Sequence, residues 1–222
     1  MNFRHYRASV RLHWSDFWSI PGRRLEFIFS FALLTLVMVG MLRFLRYNEA
    51  RTGHKLHDPL MAIFEPIDLS GLTFLLLYLG LIYTIIMLLQ QPGRLLVGLQ
   101  IYTVYAALRI LAMYIVPLEP PEGMIPLADP LLQWAQTGSQ LNKDLFFSGH
   151  TATLFICYLM LSPGRWRSVF LAGVLVMAAC LVIQRVHYSI DVVAAPFFCF
   201  GAYAFVLRIR KLANSAPHLE RH

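Results

Sequence analysis

Charge is the first thing this sequence is short of. Only 14 % of its 222 residues are Asp, Glu, Lys or Arg, against about 25 % in an ordinary soluble domain. Hydrophobic residues make up 58 %, and mean hydropathy is +0.58. So little charge excludes an ordinary water-soluble fold. Cysteine is also scarce. Cys157, Cys180 and Cys199 all fall in apolar runs, where such residues behave as small hydrophobes. There is no paired disulfide framework and no Cys/His spacing of the zinc-binding kind. Internal repeats and low-complexity tracts are absent, and no cluster of carboxylates suggests catalytic Mg²⁺. No metal or other cofactor is therefore expected.

What the chain has instead is long apolar runs. Six of them, at about 26–44, 70–90, 95–116, 145–162, 169–186 and 189–208, approach or exceed the roughly 18 residues that read as a bilayer span. The expected fold is an all-α integral membrane protein, a six-transmembrane-helix bundle. The first run is long and no small-residue cleavage pattern follows it, so it reads as a span. Ahead of it, residues 3–18 put Phe3, Tyr6, Val10, Trp14 and Phe17 on one helical face, flanked by Arg4, Arg7 and Arg11. That pattern fits an N-terminal amphipathic helix lying in the headgroup layer, ended by Pro21-Gly22. The expected division is an interfacial helix over 1–25, a six-helix catalytic domain over 26–210 and a cytoplasmic tail over 211–222.

A net charge of +7 can signal nucleic acid, but in a membrane protein it more often marks orientation. With the N-terminus inside, twelve of the 19 Lys and Arg residues lie on the cytoplasmic side, six on the other, and Arg109 lies within a span. The imbalance favours both termini in the cytoplasm and no nucleic-acid partner. The loop from Pro117 to Asp144 is unusually long and holds five of the twelve prolines. Proline stiffens it, so it reads as a lid or substrate-gating wall, or else as an ordered external cap.

Two short stretches carry candidate chemistry. In the second, His187 and Asp191 are spaced i, i+4, so on a helix they share a face. The carboxylate would then hold the imidazole in one tautomer and raise its basicity. Ser189 is a candidate cap for the last span. In the first, Ser148 caps the fourth span and puts His150 in its opening turn. The fourth span leaves one membrane face and the fifth returns to it. His150 and His187, 37 residues apart, therefore lie on the same face. Both sit beside helix N-termini, whose free N–H groups attract anions. Arg185 and Arg109 add cationic charge, and an arginine inside a span marks a site or a buried partner by default. Two imidazoles, a carboxylate and two guanidiniums suit a phosphate group. His13, His54 and His57 have no such spacing or partner and read as ordinary structural residues.

Ser148-Gly149-His150-Thr151 together with His187-Tyr188-Ser189-Ile190-Asp191 resembles the type 2 phosphatidic acid phosphatase superfamily. More narrowly it resembles the sphingomyelin synthase-type branch, over roughly residues 70 to 205. "RILAMYIVPLEPP" and "IPLADP" are similar to that branch's arginine-bearing third span and Pro-rich external segment. Arg185, two before His187, matches a basic residue of the inositol-phosphorylceramide-making relatives. The plain lipid phosphatases carry an Arg-Pro dipeptide and an arginine six before the second histidine; this chain has no Arg-Pro, and Leu181 stands there. Asn142-Lys143-Asp144 occupies the place of the branch's Cys-Gly-Asp and keeps only the Asp.

The resemblance implies a membrane enzyme that moves a phosphoryl headgroup from a phospholipid donor to a lipid alcohol of the ceramide or diacylglycerol type. It implies that His187 attacks phosphorus to form a phosphohistidine, that Asp191 orients it, and that His150 acts as acid and then base. Arg185, Arg109, Ser148, Gly149 and Asp144 are the phosphate-binding residues it carries over. Two rivals stand beside it: a phosphatase or phospholipase C-type hydrolase with water as acceptor, and a non-catalytic lipid-binding or transport protein. With both termini inside, the active site faces the extracytoplasmic leaflet. Cysteines introduced at Gln136 and Arg165 are accordingly expected to label from opposite sides of intact cells. Labelling of position 165 from outside alone reverses the orientation.

Overall fold

A computed structural model describes residues 3–127 and 141–215. The middle of the expected gating loop, residues 128–140 with Gln136, lies outside the described residues, as do tail residues 216–222 and the side chains of Phe3, Arg4, Tyr6 and Arg7. Among the described residues there are seven α-helices and no strand: α1 Phe3–Ser19, α2 Arg23–Glu49, α3 Ser70–Leu89, α4 Pro92–Ile115, α5 Gly149–Met160, α6 Arg165–Ile183 and α7 Ser189–Ser215. Five of them, α2, α3, α4, α6 and α7, are long and apolar enough to cross a membrane. The chain is a multi-pass membrane protein by that measure.

The fourth apolar run differs from expectation. Residues 145–162 read as a full span, but the helix within them covers only the 12 residues of α5, about 18 Å at 1.5 Å per residue against a hydrocarbon core of about 30 Å. Ser148 starts it, its side chain accepting from the Thr151 N–H, and Leu161 ends it in extended backbone just ahead of Pro163. Lipid does not have to solvate this helix. Eight of its twelve residues are buried, and it packs against α3, α4, α6 and α7. A helix wrapped by neighbours does not need the length of a lipid-facing one, and composition alone does not separate the two.

Short as it is, α5 lies along α4 between Arg109 and Arg94. Near its start, Arg109 of α4 donates to the Phe147 carbonyl (2.9 Å). At its end, Arg94 of α4 donates to the Met160 carbonyl and to Ser162 Oγ. The Arg94 end of the bundle is also where α1 docks. Trp14 Nε1 donates to the Leu89 carbonyl (2.8 Å), and the Gln90 carbonyl accepts from His13 Nδ1 (3.0 Å). Pro21-Gly22 turns the chain from α1 into α2 with Gly22 at φ 80°, a left-handed conformation that glycine adopts without steric cost. There Arg210 of α7 pairs with Glu26 of α2 (2.6 Å).

The opposite end is closed by three stretches without helix, residues 50–69, 116–127 and 141–148. Where the first two cross, His54 and Leu118 form an isolated parallel bridge. Glu119 accepts from the Gly53 N–H and from Lys143 Nζ, both at 2.8 Å. Glu49 accepts from the N–H groups of Asn142 and Lys143. Fully buried Gln184 donates to Ser70 Oγ and the Ile125 carbonyl and accepts from the Leu69 N–H. Irregular backbone at this depth has to satisfy its polar groups inside the protein, and these contacts do so.

Gly53 tests that stitching. A Cβ there would lie 2.6 Å from the Leu118 carbonyl carbon, backbone against backbone, whereas one on Gly40, in the middle of α2, would meet nothing within 4 Å. Gly53→Ala is expected to cost about 1–3 kcal/mol and Gly40→Ala to be neutral or to stabilise by about 0.5–1 kcal/mol. Thermal unfolding of the two variants in detergent checks both, and equal effects would remove the bridge from the account.

Candidate active site

The two histidine motifs arrive at the same place by different local devices. α6 ends in a Schellman turn, with the Val186 N–H on the Leu181 carbonyl (2.9 Å) and the Arg185 N–H on that of Val182 (3.0 Å). Arg185 takes the left-handed position at φ 59°, where glycine is usual and a side chain costs about 1–2 kcal/mol. Four residues after α6, at Ile183, the chain has reversed to His187. α7 then begins at Ser189, so His187 precedes the helix and Ser189 is its first residue, not its cap. The contact expected from i, i+4 spacing arises from the capping turn. Asp191 Oδ2 accepts the Tyr188 N–H at 3.0 Å, half of a capping box, and the same oxygen lies 3.4 Å from His187 Nδ1. The acceptor for the N–H and hydroxyl of Ser189 is Asp58, at 2.6 and 2.8 Å.

On the other motif, Ser148 is fully buried and its N–H donates to the Asp191 carbonyl (3.1 Å). That single bond ties the start of α5 to the first turn of α7. His150, in the opening turn of α5, lies with its ring centroid 6.3 Å from that of His187. The expectation that both imidazoles share one end of the bundle holds in the geometry. His187 and Asp191 are buried, and Asp191 Oδ1 has no hydrogen-bond partner among the described residues.

Arg109 is buried too. Besides the Phe147 carbonyl it donates to Asp144 Oδ1 at 2.6 Å, the paired state expected of an intramembrane arginine. Its guanidinium passes so close to Gly149 that a Cβ there would come within 2.7 Å of it, so Gly149 is where the helix start makes room for the charge. Burial raises the Asp144 carboxyl, but the Arg109 charge and hydrogen bond, with help from His187 and His150, outweigh it and hold the group below its ordinary value. Asp144, His150 and His187 line one small cavity of about 60 Å³ with Asn142 and apolar residues including Leu45, Met124 and Val186. A polar corner against an apolar wall is what a phosphate ester on a hydrocarbon body presents.

Arg185 stands apart from this cavity. Its guanidinium donates to the carbonyls of Glu122, Met61 and Phe64, each at 3.0 Å. It lines a separate cavity of about 380 Å³ with Lys55, His57, Asp58, Glu122 and Tyr188. Sequence reasoning passed over Asp58, Gln184 and Glu119, and took Tyr188 only as a letter of the second motif. Only Gln184 and Tyr188 carried a local signal, as polar groups at the edge of apolar runs. Among the described residues no group of His, Cys, Asp and Glu is placed to hold a metal ion.

The class that the fold defines is the multi-pass membrane protein, here with two imidazoles, a carboxylate partner and a matched arginine gathered at one end of its helical core. Part of the chain also matches a known family. Residues 143–208 match the family model described as PAP2 superfamily C-terminal, a stretch holding Asp144, both histidines and Asp191. The match covers 66 of the 222 residues and supports a relationship to the type 2 phosphatidic acid phosphatase superfamily, whose members are generally phosphatases or phosphotransferases, and with it an enzyme. No curated protein matches the chain.

The Asp144–Arg109 pair generates a pH dependence. Folding lowers this carboxyl's pKa, so its stabilisation is complete above the unfolded value of 3.8 and is lost as pH falls from there through the folded one. Asp144→Asn, which strands the buried guanidinium, is expected to cost about 3 kcal/mol at pH 7, and the gap to wild type should narrow below about pH 4. Detergent-solubilised unfolding at both pH values checks this; a gap independent of pH contradicts it.

Proposed function

We propose that the protein transfers a phosphoryl headgroup from a phospholipid to a lipid alcohol through a phosphohistidine, in the manner of the sphingomyelin synthase-like branch. The observation that carries the reading is the cavity itself. In it a buried histidine, backed on Nδ1 by a carboxylate, faces a second histidine 6.3 Å away between ring centroids.

The nitrogen of His187 away from Asp191 attacks phosphorus, and the bond from phosphorus to the diacylglycerol-like oxygen breaks. His150 protonates the departing alkoxide. In the second half it takes the proton from the incoming alcohol, whose oxygen attacks phosphorus and frees His187. Asp191 orients His187 and stabilises the positive charge that develops on the ring. Arg109 and the first N–H groups of α5, which have no intrahelical acceptor, balance the nonbridging oxygens. Gly149 lets Arg109 approach, and Ser148 and Asp144 fix the helix start and the guanidinium respectively. Water in place of the alcohol makes the same site a hydrolase, and members of the matched superfamily are generally phosphatases or phosphotransferases.

The reading includes a six-crossing topology, with α5 as the short fourth crossing and α1 lying in the interface. Both termini are cytoplasmic and the cavity faces the extracytoplasmic leaflet. The direction of α5 between Arg109 and Arg94 and the excess of basic residues on one side support it.

The two histidines are separable by experiment. His187→Ala is expected to abolish turnover and the covalent intermediate together. His150→Ala should lower turnover by about 10²–10⁴-fold and be partly rescued by an activated aryl phosphate ester, which needs little protonation. Acid-quench trapping with headgroup-labelled phospholipid, with ceramide or diacylglycerol present or absent, reads out both. Label on residue 150, or turnover surviving loss of His187, sinks the assignment.

A further inference from the structure

Residues 50–69 contribute none of the described residues that line the 60 Å³ cavity, yet they grip the chain on both sides of His187. Ahead of it, Arg185 donates to the carbonyls of Met61 and Phe64. Behind it, the Tyr188 hydroxyl accepts the Leu56 N–H (3.3 Å) and donates to the Glu119 carbonyl (3.0 Å). One residue further, a single oxygen of Asp58 takes both the N–H and the hydroxyl of Ser189. Its other oxygen accepts the Leu60 N–H at 3.1 Å, which fixes the carboxylate within its own segment.

We infer that Asp58 is a positioning residue for His187, acting through the first turn of α7. The argument rests on the reading of His187 as nucleophile. Asp191, which orients the imidazole, lies in the turn that Asp58 anchors. The N–H groups of a helix's first turn have no acceptor within the helix, and Asp58 supplies one from a segment 131 residues away in sequence. At 3.4 Å, the contact between His187 Nδ1 and Asp191 Oδ2 stands near the limit of a hydrogen bond, so a few tenths of an ångström of slack in that turn removes it. An anchor that stands outside the cavity, carries charge and holds the turn by two bonds controls the geometry without touching substrate.

The test uses full-length protein in detergent micelles, with two readouts. Asp58→Ala is expected to lower kcat for phospholipid turnover on the order of 10²-fold while KM changes little, because the cavity that binds substrate is unaltered. Asp58→Asn keeps an oxygen acceptor toward Ser189 and is expected to recover most of that loss. The second readout needs no turnover. The ¹³C-labelled ring signal of His187, assigned by its loss in His187→Gln, is expected to move at fixed pH in Asp58→Ala and to keep nearly its wild-type position in Asp58→Asn.

Unchanged kcat and an unmoved His187 ring signal in a folded Asp58→Ala protein overturn the proposal. So does an equal loss in the Ala and Asn variants that merely tracks the unfolded fraction. Should Asp58→Ala not fold, Ser189→Ala, which removes only the hydroxyl arm of the contact, carries the test; a smaller loss in kcat supports the proposal and full activity defeats it. Wild-type protein that turns over no phospholipid defeats the functional reading instead, and the ring signal still decides the role of Asp58.

Discussion

A guanidinium cannot shed its charge inside a protein, so a buried one has to be matched. Arg109 imposes that condition on the core of this bundle. Its partners, Asp144 and the Phe147 carbonyl, belong to the turn that leads into α5, and the turn is wrapped around the charge closely enough to require glycine at position 149. With the turn fixed, Ser148 is in place to cap α5 and to bond the backbone of Asp191, so the second histidine motif takes its register from the first. The site is built outward from one charge.

The same logic explains the polar shell above it. Segments that leave the helical state within or near a bilayer expose N–H and C=O groups that no lipid can satisfy. Here they are satisfied by one another, by Gln184 and by the Glu119–Lys143 pair. Arg185 belongs to this shell. A left-handed arginine is strained, and three carbonyl acceptors on its guanidinium offset that strain. The shell holds the return from α6 to α7 rigidly enough that a histidine between two helices, in neither of them, has a defined direction.

Much of this was legible in the residues. Apolar length announced the five long helices, and Ser148 announced the start of α5, because caps and hydrophobic runs are local properties. The length of α5 was not legible as read, since an apolar helix sheathed by protein has the composition of one sheathed by lipid. Shared placement of His150 and His187 followed from counting crossings. The contact of His187 with Asp191 was foreseen on the wrong ground, as a helical face instead of a capping turn, because the spacing is the same in both. Arg185 and Asp58 mark the limit. Which way a side chain leaves a reversed turn, and which residue 131 positions away caps a helix, are tertiary facts with no local trace.

The pairing of Arg109 also has a consequence for how the protein is made. Its carboxylate partner lies 35 residues further along, and at about 5–20 residues per second synthesis takes several seconds to reach it. α4, the least apolar of the five long helices, therefore leaves the ribosome with its arginine unmatched, a burden that reaches about 2.5–3.5 kcal/mol at the centre of a bilayer and is smaller where Arg109 stands, six residues before the end of the helix. During that interval the helix is best accommodated shallow, against lipid headgroups or water. Its final depth is a late event, set when the chain around Asp144 arrives to neutralise it.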